Sequence, residues 1–421
     1  QMKFNENKLL KGSQSISLFT FLFYSLPSIP ITSAQMIVYI IIPPIYSLLP
    51  NVGIAITGLA IMLSRFVDMI SDPIMGTYLD NLVSKLGWKI WLIFGFPLIS
   101  IGIYILLNPI YKFEVLSLFL GLIAVTLGWT FFLIPWWSIG IAISENSSKN
   151  RFKIVSSREL LTIPGIIFGL IITYFSDLSG AIYLIISLFL LSPLLIKKIP
   201  IPKISIHEKS SYFYNLKLFF KYNQNFRNLC LAYFFIGLSN GITSILFILF
   251  VQYIIGGSPF YFLIIYFISA FIGLPFIYLL GTKYKKDKVW IVFIVLACVS
   301  FLPVYFLENG DTFKFLIVCI ISGLCLSADL ILPASIQANI IDQEQKKDKK
   351  VLAGKIYSVW SLIQKLTLAV SAGVCLPLLS YFGFNPSEVN PALGPLSVCY
   401  GIAPIILRLP AVVFASYIKK I

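Results

Sequence analysis

Apolar residues run through this chain in long blocks, and polar interruptions recur at intervals that suit membrane-crossing helices. A crossing helix needs about 20 consecutive apolar residues, and hydropathy divides the chain into about twelve such spans. The first six are expected near 17–48, 53–80, 88–108, 115–143 and 154–175, and then from after Gly180 to before Lys197. The last six are expected near 229–256, 259–282, 288–306, 313–341, 352–382 and 393–418. Pro27, Pro30, Pro43 and Pro44 are expected to break the first span. The polar stretch between the sets carries Lys197, Lys198, Lys203, Lys209, Lys217, Lys221 and Arg227. The pattern predicts an all-α membrane protein with two six-helix halves, 1–196 and 228–421, joined by a linker over 197–227.

Composition agrees. Of 421 residues, 58% are hydrophobic and 12% charged, against about 25% charged in a soluble domain. The net charge of +15 would suit a nucleic-acid partner, but its distribution excludes that reading. Lysines and arginines crowd the N-terminal segment (Lys3, Lys8, Lys11) and every second loop. Those loops hold Lys85 and Lys89; Lys149, Arg151 and Lys153; the linker; Lys283, Lys285, Lys286 and Lys288; and Lys346, Lys347, Lys349 and Lys350. Lys419 and Lys420 fall on the same side, and in the alternate loops only Lys112 and Lys314 break the pattern. By the positive-inside rule both termini are expected in the cytoplasm, with the chain in the cell (inner) membrane. The first apolar run is too long for a signal-peptide core and is expected to remain as the first span. The six cysteines lie almost all in apolar runs without CxxC spacing and read as core residues. The single histidine, His207, stands in a polar loop, which argues against a His-based metal site or protease.

Charged residues inside spans are the informative exceptions, because each costs at least ~2.5 kcal/mol at the bilayer centre. In the second span, Arg65, Asp68 and Asp72 share one helical face at i, i+3 and i+7. Two carboxylates four residues apart can converge on one small cation, and Ser71 can add an oxygen. The alternative is an Arg65–Asp68 bridge that only locks helices. Lys365, deep in the eleventh span, is too far from either end to snorkel and should pair with an acid, Asp68 and Asp72 being the natural partners. Arg158 in the fifth span either snorkels or offers its donor fork to a substrate oxygen. Asp329 in the tenth span either caps a helix broken near Pro333 or, with Asn240 of the seventh, contacts substrate. Trp137 offers a flat face for stacking on a ring, or simply packs.

The order of these residues resembles a known family. Arg65-x-x-Asp68-x-x-x-Asp72-Pro73-x-x-Gly76 is followed by Lys85-x-Gly87-x-Lys89, Gly128-Trp-Thr130 and Pro135-Trp-Trp137-Ser, then Arg158. Ile341-Asp342 and Tyr357-Ser-Val-Trp-Ser361-Leu-Ile-Gln-Lys365 continue the likeness in the second half. Over nearly the whole chain this is similar to the glycoside–pentoside–hexuronide:cation symporters, the melibiose-permease branch of the major facilitator superfamily. The resemblance implies a monovalent cation site from Asp68, Ser71, Asp72 and Thr130, with Lys365 beside it. It also implies substrate contacts from Trp137 and Arg158, and a helix-locking or gating set of Arg65, Asp80 and Lys89. Two sugar-gripping aspartates of the family are missing: no acid lies between Glu6 and Asp68, and Leu133 occupies the second position.

The expectation is a cation-coupled secondary carrier, driven by Na+, Li+ or H+, taking up a sugar or glycoside-like small solute. A monomer in the bilayer is expected, with no cofactor beyond the coupling ion and no nucleic-acid partner. A lysolipid or organic anion held by Arg158 is the alternative cargo. An enzyme is disfavoured, since the chain has no HExxH, GxSxG or paired histidines, and it lacks the phosphate loop of an ATP-driven pump. A channel is disfavoured by the absence of a repeated filter motif.

Overall fold

The computed structural model describes residues 18–86, 89–143, 154, 158, 160–175, 180, 223–348, 353–388 and 391–418. Every described segment of regular structure is helical, as lipid demands of a chain whose backbone groups must pair internally. Nine helices among the described residues are long and apolar enough to cross a membrane, and two shorter apolar ones accompany them. The spans keep the numbers of the sequence pattern. Span one is Phe19–Ser47, span two Gly53–Leu86, span three Lys89–Leu107, span four Glu114–Ile143 and span five Thr162–Phe175. Span seven is Gln224–Ile255, span eight Pro259–Lys283, span nine Lys286–Phe306 and span ten Thr312–Asp348. Span eleven is Ala353–Tyr381 and span twelve Leu393–Ser416. The sixth span and the linker lie outside the described residues.

Proline chemistry shapes the irregular points. In span one a turn precedes Pro27, and a π turn over Ile37–Ile41 precedes Pro43 and Pro44. Those two prolines bring no N–H to the carbonyls one turn back, and the wider turn re-pairs the backbone around the gap. Span twelve repeats the device with a π turn over Val398–Ile402 ahead of Pro404. Pro333 behaves otherwise: span ten runs through it as one helix. The expected break there is absent, so Asp329 does not cap a helix end.

Packing between spans follows a two-fold pattern. Within the first half, spans one and five, two and four, and three and four pack together; spans seven and eleven, eight and ten, and nine and ten match them in the second. Across the halves, span two packs on eleven, span five on eight, and span one on seven. Adding six to each number maps the first two contacts onto each other and the third onto itself. Between the halves, spans two and eleven cross closely. Gly58 lies so near that a Cβ there would stand 2.6 Å from the Ala372 carbonyl oxygen and 2.8 Å from Leu376 Cβ. One turn further on, Gly373 faces Met62 with no room for a side chain. Both contacts lie toward the first residues of span two, and deeper along the same antiparallel pair stand the charged groups.

Candidate functional site

Asp68 and Asp72 project one helical turn apart from span two, and Lys365 reaches them from span eleven in the other half. Lys365 Nζ is 3.0 Å from Asp68 Oδ1 and also binds Asp72 Oδ2. Arg65 Nη1 donates to Asp68 Oδ2 at 3.2 Å, and its guanidinium stacks 3.9 Å from the centre of the Tyr39 ring. Tyr39 lies on the π turn of span one, so the irregular backbone there aims an aromatic face at the arginine. Two cations thus balance two acids. Asp68 is buried at 6% side-chain exposure, whereas Asp72 keeps 25% and Lys365 19%.

Thr130 comes down from span four between the two acids. Its Oγ lies 3.0 Å from Asp68 Oδ1, 2.9 Å from Asp72 Oδ1 and 3.3 Å from the Thr126 carbonyl. A hydroxyl has one hydrogen to donate, so three acceptors compete for it. Three acceptor oxygens therefore converge on one hydroxyl hydrogen, and Lys365 and Arg65 supply the further donors. Ser71 does not join them through its proton, since its hydroxyl donates to the Asp68 backbone carbonyl at 3.2 Å. Arg158 is half-buried, with its guanidinium 5.7 Å from the ring centre of Trp136. Trp136, which carries that ring, adjoins Trp137 in the Pro-Trp-Trp run. The side chains of Trp137, Asp80 and Lys89 lie outside the described residues.

A second charged cluster sits in the other half. Asp329 Oδ1 accepts from Trp290 Nε1 at 3.1 Å, and its Oδ2 accepts from Asn240 Nδ2 at 3.3 Å and from Arg408 Nη2 at 3.2 Å. Arg408 Nη2 also donates to Asn240 Oδ1 at 2.6 Å, and its Nε to Ser239 Oγ at 3.1 Å. This ion pair is almost wholly enclosed, at 6% and 4% side-chain exposure. Sequence reasoning found Asp329 and Asn240 but missed Arg408 and Trp290. The signal for Arg408 was available: it is the lone charge in the middle of an apolar span. Trp290 carries no such mark. Removing Asp329 alone, as Asp329→Ala, leaves a buried guanidinium unpaired and is expected to cost about 3–5 kcal/mol of stability. The double replacement Asp329→Leu/Arg408→Met should cost less than half as much, because both charges leave together. Thermal unfolding in detergent compares them, and a single change no worse than the double would refute the pairing.

A cavity of about 280 Å³ opens beside this cluster, bordered by Tyr233, Asn240, Asp329, Gln364, Thr367 and Leu368 among others. Gln364 Nε2 donates to the Tyr233 hydroxyl at 3.1 Å. Gln364 and Thr367 flank Lys365 on the same helix, so span eleven borders the cavity on one face and closes the carboxylate cluster on the next.

The sequence matches the family model described as "MFS/sugar transport protein" over residues 23–419. The chain belongs to that family. Many solved structures share its fold, and two of them illustrate the likeness. One is the fucose:proton symporter of E. coli, at 15% identity and TM-score 0.58, covering 96% of this chain and 98% of that one. The other is a bacterial homologue of the human lysosomal transporter Spinster, inward-facing and unoccupied. It has 14% identity and a TM-score of 0.59, covering 97% of this chain and 95% of that one. No curated protein matches the sequence. The MFS protein is thus a multi-span membrane transporter of small solutes, with the twelve-helix fold in two halves, and not an enzyme.

Proposed function

We propose that this MFS protein is a cation-coupled symporter that takes up a sugar-like solute across the cell membrane, with both termini in the cytoplasm. The observation that carries the reading is the Thr130 hydroxyl shared by two carboxylates, which Lys365 reaches from the opposite half. Hard monovalent cations take oxygen ligands, and Asp68, Asp72 and Thr130 supply them; a proton on Asp72 would meet the same need. Lys365 acts as a tethered ammonium that holds the seat between loads. An arriving ion displaces it, and the contact between spans two and eleven loses its charged latch. Asn240 and Asp329 face the solute at the 280 Å³ cavity, and Arg158 contributes a guanidinium from the first half. Ion and solute each favour the state that binds the other, and that coupling is reciprocal.

The sidedness follows from loop charge. With the lysine-rich loops in the cytoplasm, the tight Gly58–Leu376 crossing lies at the outer end and the cavity in the inner half, an inward-facing arrangement. The working units are two six-helix bundles, 1–196 and 228–421, joined by the linker 197–227, in a monomer. Uptake into vesicles with imposed sodium, lithium or proton gradients, run over a solute panel, tests the reading. Gradient-stimulated, saturable uptake with counterflow is expected, and ohmic conductance would overturn it. Lys365→Gln leaves two acids with one cation; coupled uptake should fall at least about tenfold, with a shifted sodium dependence. An unchanged sodium dependence would assign the lysine to packing.

A further inference from the structure

We propose that Tyr39 is a positioning residue for the ion seat: its ring holds the Arg65 guanidinium to one oxygen of Asp68 and so reserves the other for the arriving cation. The inference rests on reading Asp68, Asp72 and Thr130 as that seat. It adds a residue from span one that sets the seat's affinity without touching the ion.

Hydrogen-bond geometry carries the argument. A guanidinium is a planar fork and pairs most strongly with a carboxylate through two parallel bonds. Arg65 does not pair that way. It makes one bond, from Nη1 to Asp68 Oδ2 at 3.2 Å, and its buried Nε has no partner among the described residues. Asp68 Oδ1 is thereby left to Thr130, at 3.0 Å, and to Lys365, also at 3.0 Å. A second Arg65 bond on Oδ1 would put a permanent cation on the oxygen that a transient one needs. Lys365 comes from the other half and can withdraw with span eleven. Arg65 stands one turn from Asp68 on the same helix and cannot.

What Arg65 has in place of the second bond is an aromatic face. Its Cζ lies 3.9 Å from the centre of the Tyr39 ring, and a cation over a ring is held more strongly in a dry site than at a surface. The ring is braced in turn. Trp129, next to Thr130 on span four, packs against it with centres 5.3 Å apart and planes at 44°. From the other side, the π turn over Ile37–Ile41 that precedes Pro43 and Pro44 fixes the direction of Tyr39. The ring therefore stands between the helix that carries both acids and the helix that carries their threonine.

Cation binding to the purified full chain tests this without transport. Melting temperature would be followed against sodium, lithium and proton concentration at constant ionic strength, in the unchanged protein, in Tyr39→Phe and in Tyr39→Leu. Phenylalanine keeps the face and should leave the half-saturating cation concentration within about twofold. Leucine removes the face, lets Arg65 close on both oxygens, and should raise that concentration at least about fivefold. In an Arg65→Gln background the leucine change should have no further effect on the cation response, because Tyr39 acts only through the arginine. Should Tyr39→Leu fail to fold, Tyr39→Met fills the gap with a flexible side chain and carries the same expectation. Unchanged half-saturation in the leucine or methionine variant would overturn the role of Tyr39 and leave the seat standing. So would a phenylalanine variant as impaired as the leucine one, or an equal loss with Arg65 absent. If none of the three cations stabilises the unchanged protein, the seat and the role of Tyr39 fall together.

Discussion

Asp72→Asn is expected to abolish cation-driven uptake, at least about a hundredfold, while leaving the folded protein in place. The replacement keeps the side chain's shape and one oxygen but removes the charge that Thr130 and Lys365 share with Asp68. Arg65 and Lys365 would then face Asp68 alone, and a cluster that was neutral becomes positive by one. No small cation enters such a seat. Stability should hardly move, because Asp72 is a quarter exposed and Lys365 keeps a partner in Asp68 at 3.0 Å. Asp68→Asn is the instructive contrast. Asp68 is the buried acid, and it holds Arg65 under Tyr39; its loss should cost stability as well as transport. Vesicle uptake with imposed sodium or proton gradients, alongside thermal unfolding, reads both quantities. Gradient-driven uptake surviving in Asp72→Asn would remove the two acids from the coupling mechanism.

The spans and the first charged cluster were legible because lipid makes both conspicuous. A backbone in hydrocarbon has to be helical, and a charge there needs a reason, so Arg65, Asp68, Asp72 and Lys365 stood out against apolar surroundings. Pairing Lys365 with the acids needed only a count of the available partners. The second cluster was less legible. Asp329 was visible, but its partners arrive from spans seven, nine and twelve, and only the tertiary packing brings Asn240, Trp290 and Arg408 to one carboxylate. Arg408 carried the same signal as Lys365 and was passed over. The Pro-Trp-Trp run shows a different limit. Adjacent residues on a helix point about 100° apart, and nothing in the order of letters marked Trp136 as a neighbour of Arg158. Pro333 shows a third. A missing N–H permits a break but does not require one, and the packing of span ten against spans eight and nine keeps the helix whole.

Gly58→Val is expected to hold the carrier open at the end where spans two and eleven meet. The crossing is built on the absence of a side chain: a Cβ at position 58 would approach the Ala372 carbonyl oxygen at 2.6 Å and Leu376 Cβ at 2.8 Å. The carbonyl belongs to a helix backbone and cannot swing aside as a flexible side chain would. Valine adds two further methyl groups to that clash. Overpacking of this kind costs about 1–3 kcal/mol, and each 1.4 kcal/mol is a tenfold change in an equilibrium. The penalty falls on the state in which the halves touch here, since the separated state has space for the branch. A carrier that must visit both states in every cycle would therefore lose transport at least about tenfold without losing its fold. The displaced population can be measured directly. In a background without the six native cysteines, Leu376→Cys reports on the crossing, because Leu376 is fully buried against Gly58. Membrane-impermeant maleimide should label that cysteine at least about tenfold faster when Gly58→Val is also present. Gly58→Ala should give an intermediate rate. Labelling and uptake that both stay unchanged would show that this contact does not govern the exchange between states.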